Sequence, residues 1–136
     1  LAPFQGRKKV LFAGRDNTCR SQIASAFAQF MAGDRLEVVH GGSKSGDELN
    51  PDMVQVMQEK GIDMEFRNLQ STAEAISHVT PEVIVTIGCK EACPQVPGAR
   101  VLDWELDDPA DNSIDVMRNV RDEIEKRVTD LIDDLT

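Results

Sequence analysis

Four short apolar runs, each separated from the next by loops and helix-spaced stretches, most constrain how this chain can fold. KKVLFA at 8–13 is mostly apolar and stops at Gly14, as a strand buried on both faces of a parallel sheet does. Residues 36–40 (LEVVH), 83–87 (VIVTI) and 100–104 (RVLDW) read as three more strands. Between the first two, the spacing predicts a helix over about 20–32 with Ile23, Phe27, Phe30 and Met31 inward. Asn50 followed by Pro51 is a helix start, Asn as N-cap and Pro at the first helical position. Val54 and Met57 form its expected inner face and Gly61 its end. Ser71-x-x-Glu74 is a capping box for a short helix with Ile76 and Val79 inward, broken by Pro81. A last helix over about 113–135 carries Ile114, Met117, Val120, Ile124, Val128, Leu131 and Leu135 three or four residues apart. Strands alternating with helices imply an α/β fold, a parallel sheet with helices on both faces, in one domain spanning 1–136.

Charge narrows the function. The chain has 136 residues, 15 basic and 24 acidic, for a formal charge of −9. Such a balance excludes a general nucleic-acid binder and a binder of anionic membranes, both of which need basic surface. Yet 12 acids and only 4 bases lie from Asp103 onward, while the first 102 residues hold 12 acids and 11 bases. The front of the chain is nearly neutral and can host an anion. No apolar run approaches the roughly 20 residues of a membrane span, and residues 3–9 do not read as a secretory leader. Three cysteines cannot all pair internally. That points to a reduced, cytoplasmic setting and to thiols with a chemical role.

In parallel α/β sheets ligands bind beyond the carboxyl ends of the strands. Residues 14–21, 88–94 and 107–110 fall there. The first segment is a strand–loop–helix turn whose N–H groups converge at a helix N-terminus. Such a turn suits a phosphate-like anion, and Arg20 adds a planar fork of donors. An ordinary βα turn is the simpler alternative for this segment taken alone. Cys89-x3-Cys93 is half of a metal site at most. With only Cys19, His40 and His78 elsewhere, no metal is expected. A redox pair suits the loop better than two inert thiols. Cys19 reads as a packed thiol, although a helix N-terminus can lower a thiol pKa. Trp104 reads as core, and His40 and His78 as ordinary surface or packed residues. Asp107 and Asp108 are adjacent, so their side chains diverge and only one can serve as an acid.

These residues resemble a known family. Val10-Leu11-Phe12 followed by Asn17-Thr18-Cys19-Arg20-Ser21-Gln22 resembles the phosphate loop of low-molecular-weight tyrosine phosphatases and their arsenate-reductase relatives. Leu49-Asn50-Pro51 with Gly61-Ile62-Asp63 is similar to the next stretch of those reductases. TIGCKEACP at 86–94 resembles their redox loop, and DWELDDPA at 103–110 their acid loop. The resemblance implies a four-stranded parallel sheet in the order 2-1-3-4 and thiol-dependent reduction of arsenate to arsenite. It implies that Arg20 clamps the oxyanion, Ser21 hydrogen-bonds the nucleophile, Asn17 props the loop and Asp108 is the general acid. Cys89 and Cys93 would relay electrons by forming a disulfide, reduced in turn by thioredoxin or a low-molecular-weight thiol. Arsenate or a phosphate-like oxyanion is the expected ligand. No cofactor is expected, and the family's potassium site lacks its glutamate, which is Ser25 here.

One departure is large. The family's nucleophilic Cys stands six residues before the loop arginine, and that position is Gly14. Cys19 cannot inherit the role by the same motif, because six residues after it stands Ser25. Arg15 and Asp16 also replace the usual Thr and Gly, so the loop (Gly14, Arg15, Asp16, Asn17, Thr18, Cys19, Arg20, Ser21) reads as naturally diverged. Without a thiolate at position 14 the family's route to a covalent intermediate is closed. Either another thiol, Cys89 or Cys19, reaches the anion, or the chain is a silent oxyanion- or partner-binding relative. Asp16 itself has two readings: its carboxylate turns into the loop onto Arg20 as an anion mimic, or it faces solvent and pairs with Arg15.

Overall fold

A computed structural model describes residues 7–136; the reading of residues 3–9 therefore lies mostly outside the described residues. The elements run β1 (Lys8–Gly14), α1 (Arg20–Ala32), β2 (Leu36–Gly42), α2 (Pro51–Gln58), α3 (Thr72–His78), β3 (Val83–Thr86), β4 (Arg100–Asp103) and α4 (Ile114–Leu135). The strands form one parallel sheet in the order β2-β1-β3-β4. Leu11 lies opposite Val39 on one side and Ile84 on the other, so β1 is central.

Alternation along β1 divides the core into two layers. Val10 and Phe12 join Ile23, Phe27, Met53, Met57, Ile124 and Val128 beneath α1, α2 and α4. Leu11 and Ala13 face the other way, with Ile84, Ala75 of α3 and Cys89. The helices start where the caps predict. Asn50 accepts from the N–H groups of Asp52 and Met53, and Ser71 and Glu74 complete a capping box. Such caps contribute typically about 1 kcal/mol each. Arg121, buried on α4, donates to the Val56 carbonyl and the Glu59 carboxylate, fastening α4 to α2.

Several details differ from the sequence reading. Phe30 is 71% exposed, because the last turn of α1 buries Ala28 and Ala32 instead. In α2 the buried residues are Met53, Val56 and Met57, with Val54 only at the margin. The helix stops at Gln58, and Gly61 takes its left-handed turn (φ 76°) beyond that end. The expected loop at 88–98 contains a one-turn 3-10 helix, Lys90–Ala92. β1 and β2 run on through Gly14 and Gly42, to the lip of the loop that follows β1. No helix among the described residues is long and apolar enough to cross a membrane.

Candidate functional site

The loop between β1 and α1 is held from outside by its carbonyls. Those of Gly14, Arg15, Asp16 and Thr18 accept from the N–H groups of Ser43, Lys44, Gly46 and Asn50 at 2.9–3.1 Å. The opposite edge of the loop is therefore made of N–H groups. Those of Asp16, Asn17 and Cys19 meet no acceptor among the described residues. Buried or half-buried donors seldom go without a partner. Free donors beside a helix N-terminus are the groups from which an anion site can be built. Cys19, at the N-cap position, makes no side-chain cap that would cover those donors.

Asn17 holds the loop shape from within. Its backbone is left-handed (φ 64°), a conformation uncommon outside Gly but tolerated by Asn. Its Nδ2 donates to Ser21 Oγ at 2.8 Å. Its Oδ1 receives Gln22 Nε2 at 3.1 Å and the Gln70 N–H at 3.1 Å, and lies 2.9 Å from His40 Nδ1. Because Oδ1 only accepts, His40 carries its proton on Nδ1. His40 thus buttresses the loop, a role the sequence reading missed. The available signal was its place at the carboxyl end of a parallel strand. Burial, reinforced by the nearby Arg67 charge, pushes its pKa down to about 4, so the ring is neutral near pH 7.

Arg20 is the central cation. Its side chain is only 9% exposed, and Nη1 donates to the Leu106 carbonyl at 2.9 Å. Its Nη2 lies 3.8 Å from Asp108 Oδ2, and Arg15 Nη1 lies 3.7 Å from the same oxygen. Asp16 faces solvent, as the second reading expects, but neither expected pairing forms. Its Oδ1 accepts from the Thr18 N–H and hydroxyl at 3.1 and 2.8 Å, and it makes no ion pair with Arg15 or Arg20. A local turn won over both longer-range pairings, and Asp108 is the carboxylate that faces the arginines. Arg15, Arg20, Gly88, Lys90, Trp104, Leu106, Asp107 and Asp108 are among the residues around a cleft of about 680 Å³. Trp104 is core, tilted against Phe12 at 5.9 Å, with one side lining this cleft. Lys90 is a further cation there that the sequence reading did not single out.

The cysteines separate into two groups. Cys89 and Cys93 are joined in a disulfide, with α-carbons 5.0 Å apart. Cys89 is buried, with Sγ 3.8 Å from the carbonyl of Ala13, the residue before Gly14. That contact becomes a hydrogen bond only when the thiol is free. Gly88 (φ 77°) sits so close that a β-carbon there would lie 2.6 Å from Arg20 Nη2. The loop bearing the disulfide is therefore packed directly on the Arg20 guanidinium. Cys19 points the other way, into the core, with Sγ 3.4 Å from Met117 Sδ. Burial pushes its pKa up to about 12 and outweighs the nearby Arg20 charge. At position 14, a β-carbon would lie 2.9 Å from Ser21 Oγ, so the serine hydroxyl crowds the place where a side chain would begin.

Residues 9–136 match the family described as low molecular weight phosphotyrosine protein phosphatase. The chain belongs to this family. It is 34% identical over 133 residues to a putative arsenate reductase of Halobacterium salinarum, covering 93% of this chain and 92% of that one. It is 33% identical over 131 residues to a glutaredoxin arsenate reductase of Synechocystis, covering 92% and 96%. An arsenate reductase solved in its phosphate-binding state superposes with a TM-score of 0.82 at 29% identity, over 95% of this chain and 99% of the other. The fold and relationship expected from the motifs are thus those of the arsenate-reductase branch.

The potassium ion implied by the family does not fit this chain. Ser25 Oγ accepts from Arg67 Nη2 at 2.6 Å and donates to the Gln22 carbonyl at 3.0 Å. A guanidinium already contacts the oxygen that a metal ion would need. Among the described residues no cluster of three or more His, Cys, Asp or Glu is arranged to hold a metal.

Proposed function

We propose that this protein is an arsenate reductase-like thiol enzyme whose loop holds the oxyanion while Cys89, not a residue at position 14, attacks it. The observation that carries this reading is the packing of the Cys89 loop on Arg20. Cys19 is turned away against Met117, and burial pushes its pKa up to about 12, so it supplies no thiolate.

Arsenate binds to the loop N–H groups and the Arg20 fork, with Arg15 and Lys90 adding positive charge at the mouth. In the reduced protein the Cys89 thiolate bonds to As(V), and one arsenic oxygen leaves as water with a proton from Asp108. The Cys93 thiolate then attacks Cys89 Sγ. The sulfur–sulfur bond forms, the arsenic–sulfur bond breaks and its electron pair stays on arsenic, which departs as arsenite. Two thiols have become one disulfide and As(V) has become As(III). An external thiol system, thioredoxin, a glutaredoxin or a low-molecular-weight thiol, returns the disulfide to thiols by exchange. A cytoplasmic location supplies the reducing thiol pool that this cycle needs.

The test is arsenate-dependent oxidation of a thioredoxin or glutaredoxin system by wild type, Cys89→Ser, Cys93→Ser and Gly14→Cys with Asp16→Gly. Slow wild-type turnover that vanishes in both serine variants is expected. A silent wild type beside an active double variant would instead support a second reading, a pseudoenzyme of the same fold that binds an oxyanion or a partner. The crowding of position 14 by Ser21 Oγ favours that second reading.

A further inference from the structure

Arg67 is a half-buried guanidinium without a counter-charge. Its Nε donates to Gln22 Oε1 at 2.9 Å and its Nη2 to Ser25 Oγ. Among the described residues no carboxylate oxygen lies within 4.0 Å of it. Burial pushes its pKa down, but an arginine starts so high that it keeps its charge. A half-buried, unpaired charge is costly and needs something to offset it.

What Arg67 touches leads to the anion loop. Gln22, fixed through Oε1, turns its Nε2 onto Asn17 Oδ1 and the Asn68 carbonyl. Asn17 in turn donates to Ser21 Oγ, which lies beside Gly14 at the start of the loop. Both ends of this chain of bonds are oriented by the guanidinium. Being a donor only, it forces Gln22 to present its oxygen to Arg67 and its NH2 to Asn17. The charge reaches His40 as well, which bonds the same asparagine oxygen and whose pKa is lowered first by burial and then by Arg67.

We propose that Arg67 is the built-in cation of this chain: a positioning residue that orients Gln22 and, through it, Asn17, and makes the loop independent of potassium. The phosphate readout below rests on the reading of the loop as an oxyanion site. The orientation of Gln22 and Asn17 does not.

The experiment compares wild type with Arg67→Met, Arg67→Gln and Arg67→Lys. Phosphate affinity is read by titration calorimetry and Tm by thermal unfolding. Both are measured in potassium, sodium or tetramethylammonium chloride at matched ionic strength. Wild-type values should agree across the three salts. Arg67→Met should weaken phosphate about tenfold, the scale of a lost charged hydrogen-bond anchor. Arg67→Lys should recover much of that loss and Arg67→Gln little, whereas a residue that only filled space would be replaced best by Met. A wild-type Tm or affinity raised by potassium but not sodium overturns the proposal, as does a folded Arg67→Met with wild-type affinity. If Arg67→Met does not fold, Arg67→Lys and the wild-type salt comparison still decide. If wild type binds no phosphate in any salt, the oxyanion reading fails, and the Tm comparison alone judges Arg67.

Discussion

The Oγ of Ser21 lies 2.9 Å from the point where a β-carbon on Gly14 would sit. A side chain there must push the serine hydroxyl aside, against its 2.8 Å bond from Asn17 Nδ2. Gly14→Ala is therefore expected to lower stability by about 1–2 kcal/mol, the range for forced overpacking. Urea unfolding of Gly14→Ala, Ser21→Ala and the double variant measures it. Coupling between the two sites is expected, with the double variant losing less than the two single losses together.

Asp108 faces both cleft arginines, so it competes with any anion for them. Asp108→Asn should bind phosphate several-fold more tightly, because a negative charge is removed beside the site. The same variant should be slower in arsenate-dependent thiol oxidation, because the proton donor for the leaving oxygen is gone. Calorimetry and a turnover assay on one preparation read the two effects, and tighter binding with unchanged turnover would remove Asp108 from the acid role.

Much of this architecture was legible because it rests on local signals. The four apolar runs, the Asn50 cap and the Ser71–Glu74 box each act within a few residues, and each appears where expected. The packing of Phe30 and the partner of Asp16 were not legible. One depends on which side of α1 is covered in its last turn. The other depends on whether a carboxylate bonds two residues away or crosses the loop. The network of Gln22, His40, Arg67 and Asn17 joins four separate segments, so no spacing rule reports it. Gln22 carried a hint, as a polar residue beside Ile23 in the alanine-rich stretch of α1, and the structure buries it fully.

The cysteines should differ in reactivity. In the reduced protein, alkylation near pH 8 is expected at Cys93, which is partly exposed, and more slowly at the buried Cys89. Cys19 should stay unmodified until unfolding, since burial holds its pKa near 12. Peptide mapping after brief iodoacetamide treatment identifies the labelled sites. Cys19→Ala should cost about 1–2 kcal/mol of packing and leave thiol oxidation unchanged. Early labelling of Cys19 would contradict its placement against Met117.

His40 makes the fold sensitive to mild acid. Its pKa is about 4 in the folded chain against 6.5 for a free histidine. Between those values the unfolded chain takes up a proton that the folded chain refuses. Stability is therefore full above about pH 6.5 and declines as pH falls toward 4, by on the order of 2–3 kcal/mol for a shift of this size. The lowered pKa values of Glu59 and Glu123 act only below their usual 4.5, so His40 dominates the window above it among the shifted groups. Urea unfolding at pH 7 and pH 5 should show the decline in wild type and a much smaller one in His40→Gln. The His40 ring should titrate near 4 by NMR, and in Arg67→Met its pKa should rise, because one of the two causes holding it down has been removed. A wild-type ring titrating near 6.5 would mean that His40 does not sit neutral against Asn17.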